Sequence, residues 1–90
     1  MVYLYQMKNE PMYRTRDMFI AAYLHIKGEP LVSLESSDAK RSQYWFIFNN
    51  TDNVKKLLNE YLARKGSIIP IDYKNAIEFL KEQLEEAKHG

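Results

Sequence analysis

Gln43-Tyr44-Trp45-Phe46-Ile47-Phe48 is the stretch that decides the fold, because it joins four aromatic residues and one β-branched residue without charge, Gly or Pro. Such a composition predicts a β-strand. Successive side chains of a strand point to opposite faces, so Trp45 and Ile47 share one face and three aromatic residues share the other. Both faces are apolar. We therefore expect either helices on both sides of this strand or one side that is covered by a partner.

The composition predicts one small globular domain. Ninety residues, of which 46% are hydrophobic, supply one core, and 13 basic residues against 12 acidic ones leave a net charge of +1. This balance provides no long-range attraction to nucleic acid or anionic lipid. The absence of Cys excludes disulfides, thiolate chemistry and Cys-ligated metals. Since no apolar run approaches the roughly 20 residues that span a bilayer and Met1–Met7 does not resemble a secretion signal, we expect a soluble, cytoplasmic protein.

Capping residues and apolar periodicity predict an α+β fold in which helices pack on a small antiparallel sheet. The first helix should follow Thr15 as N-cap and end at Gly28. The strands Leu31–Ser36 and 41–48 should then form a β-hairpin. A second helix should begin in the polar cluster 49–52 and end at Gly66.

The final part of the chain predicts a short extended link and a C-terminal helix. Ser67–Ile71 could add a third strand, which Pro70 would restrict to a sheet edge. Asp72 is the expected N-cap of the last helix, from 73 to about 88. We assign residues 13–88 to a single compact domain. Residues 1–12 form an N-terminal arm, either an edge strand or a loosely held terminus.

The first predicted helix is apolar almost all round. Its periodic stripe consists of Phe19, Ala22, Tyr23 and Ile26. Met18, Ile20 and Leu24 lie outside that stripe. A helix of this kind is either buried centrally by the other helices or contacts a partner.

Short motifs of aromatic, alanine and capping residues occur along the chain. They are Tyr13-x-Thr15-x-Asp17, Ala21-Ala22-Tyr23-Leu24, Gly28, Phe46-x-Phe48, Tyr61 and the link containing Pro70. Together these motifs resemble the pattern of a small uncharacterised α+β domain family of bacteria, archaea and their viruses. The resemblance extends from about Tyr13 to Leu84. It implies a compact α+β domain that is often associated with phages or mobile elements, and it assigns no catalytic residue.

No pattern of reactive side chains predicts an enzyme, a metal site or a cofactor site. His25 and His89 are far apart in the sequence, and no Ser lies in a nucleophile elbow. The acidic residues of the last helix alternate with Lys, as expected for a solvated face. With three Gly in total, the chain cannot form a glycine-rich phosphate loop. We therefore predict no catalytic, cofactor or metal residue and no small-molecule substrate.

Surplus apolar surface predicts a binding or regulatory module that contacts a protein partner or a second copy of itself as a homodimer. The candidate partner-binding residues are Trp45, Ile47, Ile20, Leu24 and Phe79. The alternative is single-stranded nucleic-acid binding, in which bases stack on aromatic rings beside basic residues. The candidate residues for this alternative are Arg14, Arg16, Lys40, Arg41, Tyr44 and Trp45. No membrane contact is expected.

Overall fold

The computed structural model of the protein describes residues 11–36 and 43–89. Three helices and three strands follow one another in these residues. They are β1 (Met12–Thr15), α1 (Met18–Ile26), β2 (Leu31–Ser36), β3 (Tyr44–Asn49), α2 (Asp52–Leu62) and α3 (Pro70–His89). The predicted α+β class with helices on an antiparallel sheet is confirmed. No helix in the described ranges combines the length and apolarity that a membrane span requires.

The aromatic strand β3 is the centre of the sheet. Its neighbours are β1 on one side and β2 on the other, and both pair with it in the antiparallel sense. The predicted hairpin of β2 and β3 is therefore confirmed. Phe48 lies opposite both Tyr13 of β1 and Leu31 of β2, so all three side chains share one face of the sheet. This face lies under the helices.

Strand β2 departs from the predicted alternation because its pairing with β3 shifts between Leu31 and Ser33. An irregularity of this kind changes which side chains point to which face. Leu31 and Leu34 consequently pack against the core. Val32, which the simple alternation groups with Leu34, is 47% exposed.

Strand β1 was not predicted. Because it includes Thr15, the N-cap of α1 is not Thr15, as predicted, but a later residue. Thr15 is the last residue of the strand, and its hydroxyl accepts a hydrogen bond from the Asp17 backbone N–H at 3.0 Å. Asp17 is the N-cap, because its carboxylate accepts from the N–H of Phe19 at 2.8 Å. Gly28 follows α1 with φ of 97°, as predicted for a left-handed residue after a helix.

Helix α1 is the central helix. Ala21, Ala22, Tyr23 and Leu24 are consecutive and all buried. A helix that buries four successive residues is covered on all sides. The core cluster around them includes Phe46 and Phe48 from β3, Val54 and Leu57 from α2, and Ala76 and Leu80 from α3. Of the two predicted interpretations of this helix, the structure therefore shows central burial.

The ends of α2 and α3 differ from the predicted ends. Helix α2 is followed by Ala63 as C-cap and by Arg64, which has a φ of 60°. Arg64, not Gly66, is thus the left-handed residue after this helix. Helix α3 begins at Pro70 instead of after Asp72, since Pro suits a first helical position that needs no N–H donor.

The link before α3 does not form the third strand that the sequence allowed. The N–H groups of Asp72 and Tyr73 donate to the carbonyl of Ile69 at 3.0 and 3.1 Å, so this segment already makes helical hydrogen bonds. The third strand of the described sheet is β1 instead. The predicted N-terminal arm lies outside the described residues except for Pro11 and Met12, and Met12 belongs to β1.

Candidate functional site

Trp45 lies on the sheet face opposite the helices, where it is half-buried. The Cζ atom of Arg16 lies over its ring, 5.0 Å from the centroid. Arg16 also donates from Nη1 to Oε1 of Gln43 at 2.6 Å. On the other side of Trp45, Glu35 is its cross-strand partner. The indole is therefore held by a cation–π contact of the kind worth about 0.5–1 kcal/mol at an exposed site.

Two of the predicted partner-binding residues are buried within the domain. Leu24 is fully buried because it lies in the middle of α1, among the core residues of the sheet and the other helices. Ile47 is 2% exposed and lies in the central strand between its cross-strand neighbours Arg14 and Ser33. Neither side chain offers surface to a partner in this fold, so the structure corrects both assignments.

Ile20 and Phe79 are half-buried at the margin of the core. The ring of Phe79 stacks on the imidazole of His25, with the centroids 4.6 Å apart and the planes inclined by 10°. These two predicted partner-binding residues and Trp45 therefore each retain some accessible surface, but they use part of it to pack within the domain.

The basic residues predicted to contact nucleic acid are only partly brought together. Arg14 is exposed and lies on the same sheet face as Trp45, and Arg16 contacts the indole ring. Tyr44 is buried at 8% exposure on the helix side of β3, which removes it as a free stacking platform. Lys40 and Arg41 lie outside the described residues.

A second apolar surface was not predicted as a site. We define the aromatic end as the exposed side chains Phe19, Leu62, Ile69 and Ile71 together with Tyr73. Phe19 is 57% exposed, although it belongs to the predicted apolar stripe of α1. Leu62, Ile69 and Ile71 are 71%, 61% and 56% exposed. The signal in the sequence was Ile68-Ile69-Pro70-Ile71, which we interpreted as an extended link.

Tyr73 packs on Phe19 within the aromatic end. Its ring stacks on that of Phe19 with a centroid distance of 6.1 Å and an interplanar angle of 19°. Its hydroxyl donates to the Phe19 carbonyl oxygen at 3.2 Å. The first turns of α1 and α3 are thereby joined, and Phe19 is held in place although more than half of it is exposed.

Behind this surface, three tyrosines line a cavity of about 290 Å³. The rings of Tyr23 and Tyr61 lie 5.5 Å apart, and Tyr73 forms another wall. Burial raises the pKa of Tyr23, with a further contribution from Glu60, whose carboxylate accepts from the Tyr23 hydroxyl at 3.4 Å. Burial likewise raises the pKa of Tyr73 to about 12. At neutral pH both hydroxyls are therefore protonated donors.

The remaining reactive groups do not converge on a common point within the described ranges. No group of three or more His, Asp or Glu residues there could hold a metal ion. His25 packs on Phe79, while His89 lies 3.3 Å from the carboxylate of Glu85 on an exposed face. Glu82 and Glu86 are exposed as well. The accessible aromatic, apolar and basic side chains of this part of the chain could bind another molecule.

Comparison with known protein families identifies the family of this chain. Residues 10–85 match the model of a family described as Domain of unknown function (DUF5659). No curated protein and no solved structure matches the chain. The matched range contains all six helices and strands apart from the last turn of α3. The chain therefore belongs to the DUF5659 family, an uncharacterised small α+β domain.

Proposed function

We propose that this domain is a non-enzymatic binding module that contacts a protein partner, or a second copy of itself, through the aromatic end. The observation that carries the proposal is the exposure of four large apolar side chains, each more than half accessible, where α1 and α3 begin and α2 ends. Exposed apolar patches mark interaction sites, and the stacked rings of Phe19 and Tyr73 give this surface a continuous part.

A partner that covers the aromatic end would remove its apolar side chains from water. Complete burial of a Phe, Leu or Ile side chain is worth about 1.5–3 kcal/mol. The stacking of Phe19 on Tyr73 and the hydrogen bond between them restrict both residues before a partner arrives. Little conformational entropy is then lost on binding. Tyr is also a frequent anchor of protein interfaces.

The biological setting we propose follows from the family resemblance alone, which favours an accessory role in phages or mobile elements. The genes that flank this one would test it. Flanking genes for structural or regulatory phage proteins would support this setting, and consistent placement among housekeeping genes would contradict it.

Self-association is tested by light scattering and sedimentation velocity over a wide concentration range. Phe19→Ser and Ile71→Ser should each shift the monomer–dimer equilibrium toward monomer by about tenfold or more, since each removes a large part of an apolar contact. Val32→Ser is the matched control, because Val32 is an exposed apolar residue on β2, outside the aromatic end.

A heterologous partner is tested by placing a photo-crosslinking amino acid at position 71 and, as the control, at position 32. A discrete crosslinked species that forms from position 71 and is lost in Phe19→Ser supports the proposal. A strict monomer that gives no crosslink specific to position 71 in its native host contradicts it.

Single-stranded nucleic-acid binding is the second candidate function. It is favoured by the Arg16–Trp45 contact and by the exposed Arg14 on the same sheet face. Trp45 is the only Trp in the chain, so its emission reports directly on this face. If the domain binds single strands, oligonucleotides should quench the Trp45 emission. The quenching should weaken steeply as the salt concentration rises and should be smaller in Arg16→Gln. Unchanged emission with both DNA and RNA at low salt would exclude it.

A further inference from the structure

A second cavity, of about 330 Å³, lies where the start of β3, the residues before α1 and the C-terminal part of α3 meet. The described side chains that line it are Arg16, Met18, Gln43, Tyr44, Phe46, Leu84 and Lys88. It shares no residue with the aromatic end. Its volume is at the lower end of the range of small-ligand sites, about 300–1,000 Å³.

The cavity has an apolar floor. Phe46 is 2% exposed and belongs to the core, while Met18 and Leu84 are half-buried against it. Tyr44 contributes a ring and a hydroxyl that can donate or accept. The apolar part of a small ligand could therefore be buried in this cavity, against side chains that the fold already holds in place.

The rim is basic. Two basic residues line the cavity: Arg16, which precedes α1, and Lys88, in the last turn of α3. Among the described residues, no carboxylate lines the cavity, and none lies within 4.0 Å of either cation. The described part of the chain therefore supplies no carboxylate that competes with a ligand for these two charges. Lys88 also offsets the negative end of the α3 dipole.

Arg16 is oriented before any ligand binds. Its guanidinium lies over the Trp45 ring and donates one hydrogen bond to Gln43, a neutral acceptor. No carboxylate among the residues that the structure describes neutralises its charge. Its remaining N–H groups can donate to an oxyanion in the forked geometry that suits carboxylate or phosphate.

We propose that this cavity binds a small organic anion, namely a carboxylate or phosphate attached to a compact apolar body. The anionic group lies between Arg16 and Lys88, and the apolar body contacts Phe46 and Leu84. The sequence, by contrast, led us to expect no small-molecule substrate. The inference goes beyond the proposed function, because the described residues that line this cavity are all different from those of the aromatic end.

The test uses matched probes that separate charge from apolar contact. They are 4-phenylbutyrate, its neutral analogue 4-phenylbutanol, phenyl phosphate, and acetate, which lacks the apolar body. Binding is followed by isothermal calorimetry and by amide chemical shifts, with Trp45 emission as a third signal because Arg16 contacts the indole. We expect saturable binding of phenylbutyrate, phenyl phosphate or both, and at least about tenfold weaker binding of the alcohol and of acetate.

Variants assign the binding to this cavity. Arg16→Gln and Lys88→Gln should each weaken the anionic probes by about fivefold to tenfold or more, since each removes one charge-assisted contact. Binding of the alcohol should not change in either. Arg14→Gln and Lys74→Gln are the controls, because these exposed basic residues do not line the cavity.

Calorimetry and chemical shifts are used for Arg16→Gln, since removing the guanidinium alters Trp45 emission directly. Native-like amide spectra of the free variants show that the fold is retained. Equal affinity for the alcohol and the acid, equal losses in the control variants, or no saturable binding of any anionic probe at millimolar concentration would each overturn the proposal.

Discussion

At the scale of single residues, Gly66 is important because it lies directly against another side chain. A Cβ atom at this position would lie 2.6 Å from Cζ and 2.8 Å from Cε1 of Tyr23. Tyr23 is buried, and its ring packs on Tyr61. It therefore cannot move aside without disturbing the core. The sequence predicted this glycine as a helix terminator, whereas the structure shows that close packing requires it.

Gly66→Ala should accordingly lower the free energy of unfolding by about 1–3 kcal/mol, the usual cost of overpacking. Urea denaturation measures the change. Ser67→Ala is the control, since this neighbouring side chain is exposed, and it should change stability by less than about 0.5 kcal/mol. Equal stability of Gly66→Ala and the wild type would show that Tyr23 moves freely.

The raised pKa of Tyr73 predicts that the domain loses stability at alkaline pH. Burial raises its pKa from 10.0 to about 12 in the folded protein, so the folded form binds this proton more tightly than the unfolded chain does. As the pH rises above 10, the unfolded chain ionises first and the equilibrium moves toward unfolding. The contribution of this proton to the free energy of unfolding is complete below pH 10 and is lost by about pH 12.

Urea denaturation at several pH values between about 9 and 12 tests this prediction. The range begins below the ordinary pKa of tyrosine, which is about 10. Tyr73→Phe should show a shallower decline than the wild type. It should not remove the decline, because burial also raises the pKa of Tyr13 and Tyr23. Identical pH profiles for the variant and the wild type would contradict the assignment to Tyr73.

At the scale of elements, helix α1 depends on small residues. Ala21 and Ala22 are fully buried, and they allow the sheet and both other helices to approach the helix closely. The sequence alone shows an all-round apolar helix, which fits central burial, the slightly favoured interpretation, and also a partner interface. Only the packing of α2 and α3 distinguishes these two alternatives.

Ala22→Leu should destabilise the domain by about 1–3 kcal/mol, because a close-packed core has no space for three further carbon atoms. Ala63→Leu adds the same atoms at an exposed position after α2 and serves as the control. The midpoints of thermal unfolding report both changes. An Ala22→Leu variant as stable as Ala63→Leu would mean that α1 is loosely packed.

At the scale of the whole molecule, one core joins every helix to the sheet. Since α1, α2, α3 and β3 all contribute to the same cluster, they should unfold together. Trp45 reports on the sheet, and circular dichroism reports mainly on the helices. We therefore expect the two signals to give coincident denaturation curves, as in a two-state transition. Loss of the Trp45 signal at lower denaturant would show that the sheet unfolds separately.

The sequence determined the class of the fold and five of the six described helices and strands, all except β1. The aromatic run 43–48 contains the central strand, the polar cluster 49–52 contains the start of α2, and Gly28 follows α1, because propensity, capping and backbone freedom are local properties. The sequence also led to the family that the comparison confirmed. None of these features depends on which helices and strands pack against one another.

Tertiary structure alone decided which apolar residues remain accessible. Leu24 and Ile47, predicted as contacts for a partner, are buried, while Phe19 and Ile71 are exposed. The cavity between Arg16 and Lys88 joins residues more than 70 positions apart. Periodicity assigns a side chain to one face of its own helix or strand, but exposure depends on what covers that face, and elements distant in the sequence provide the cover.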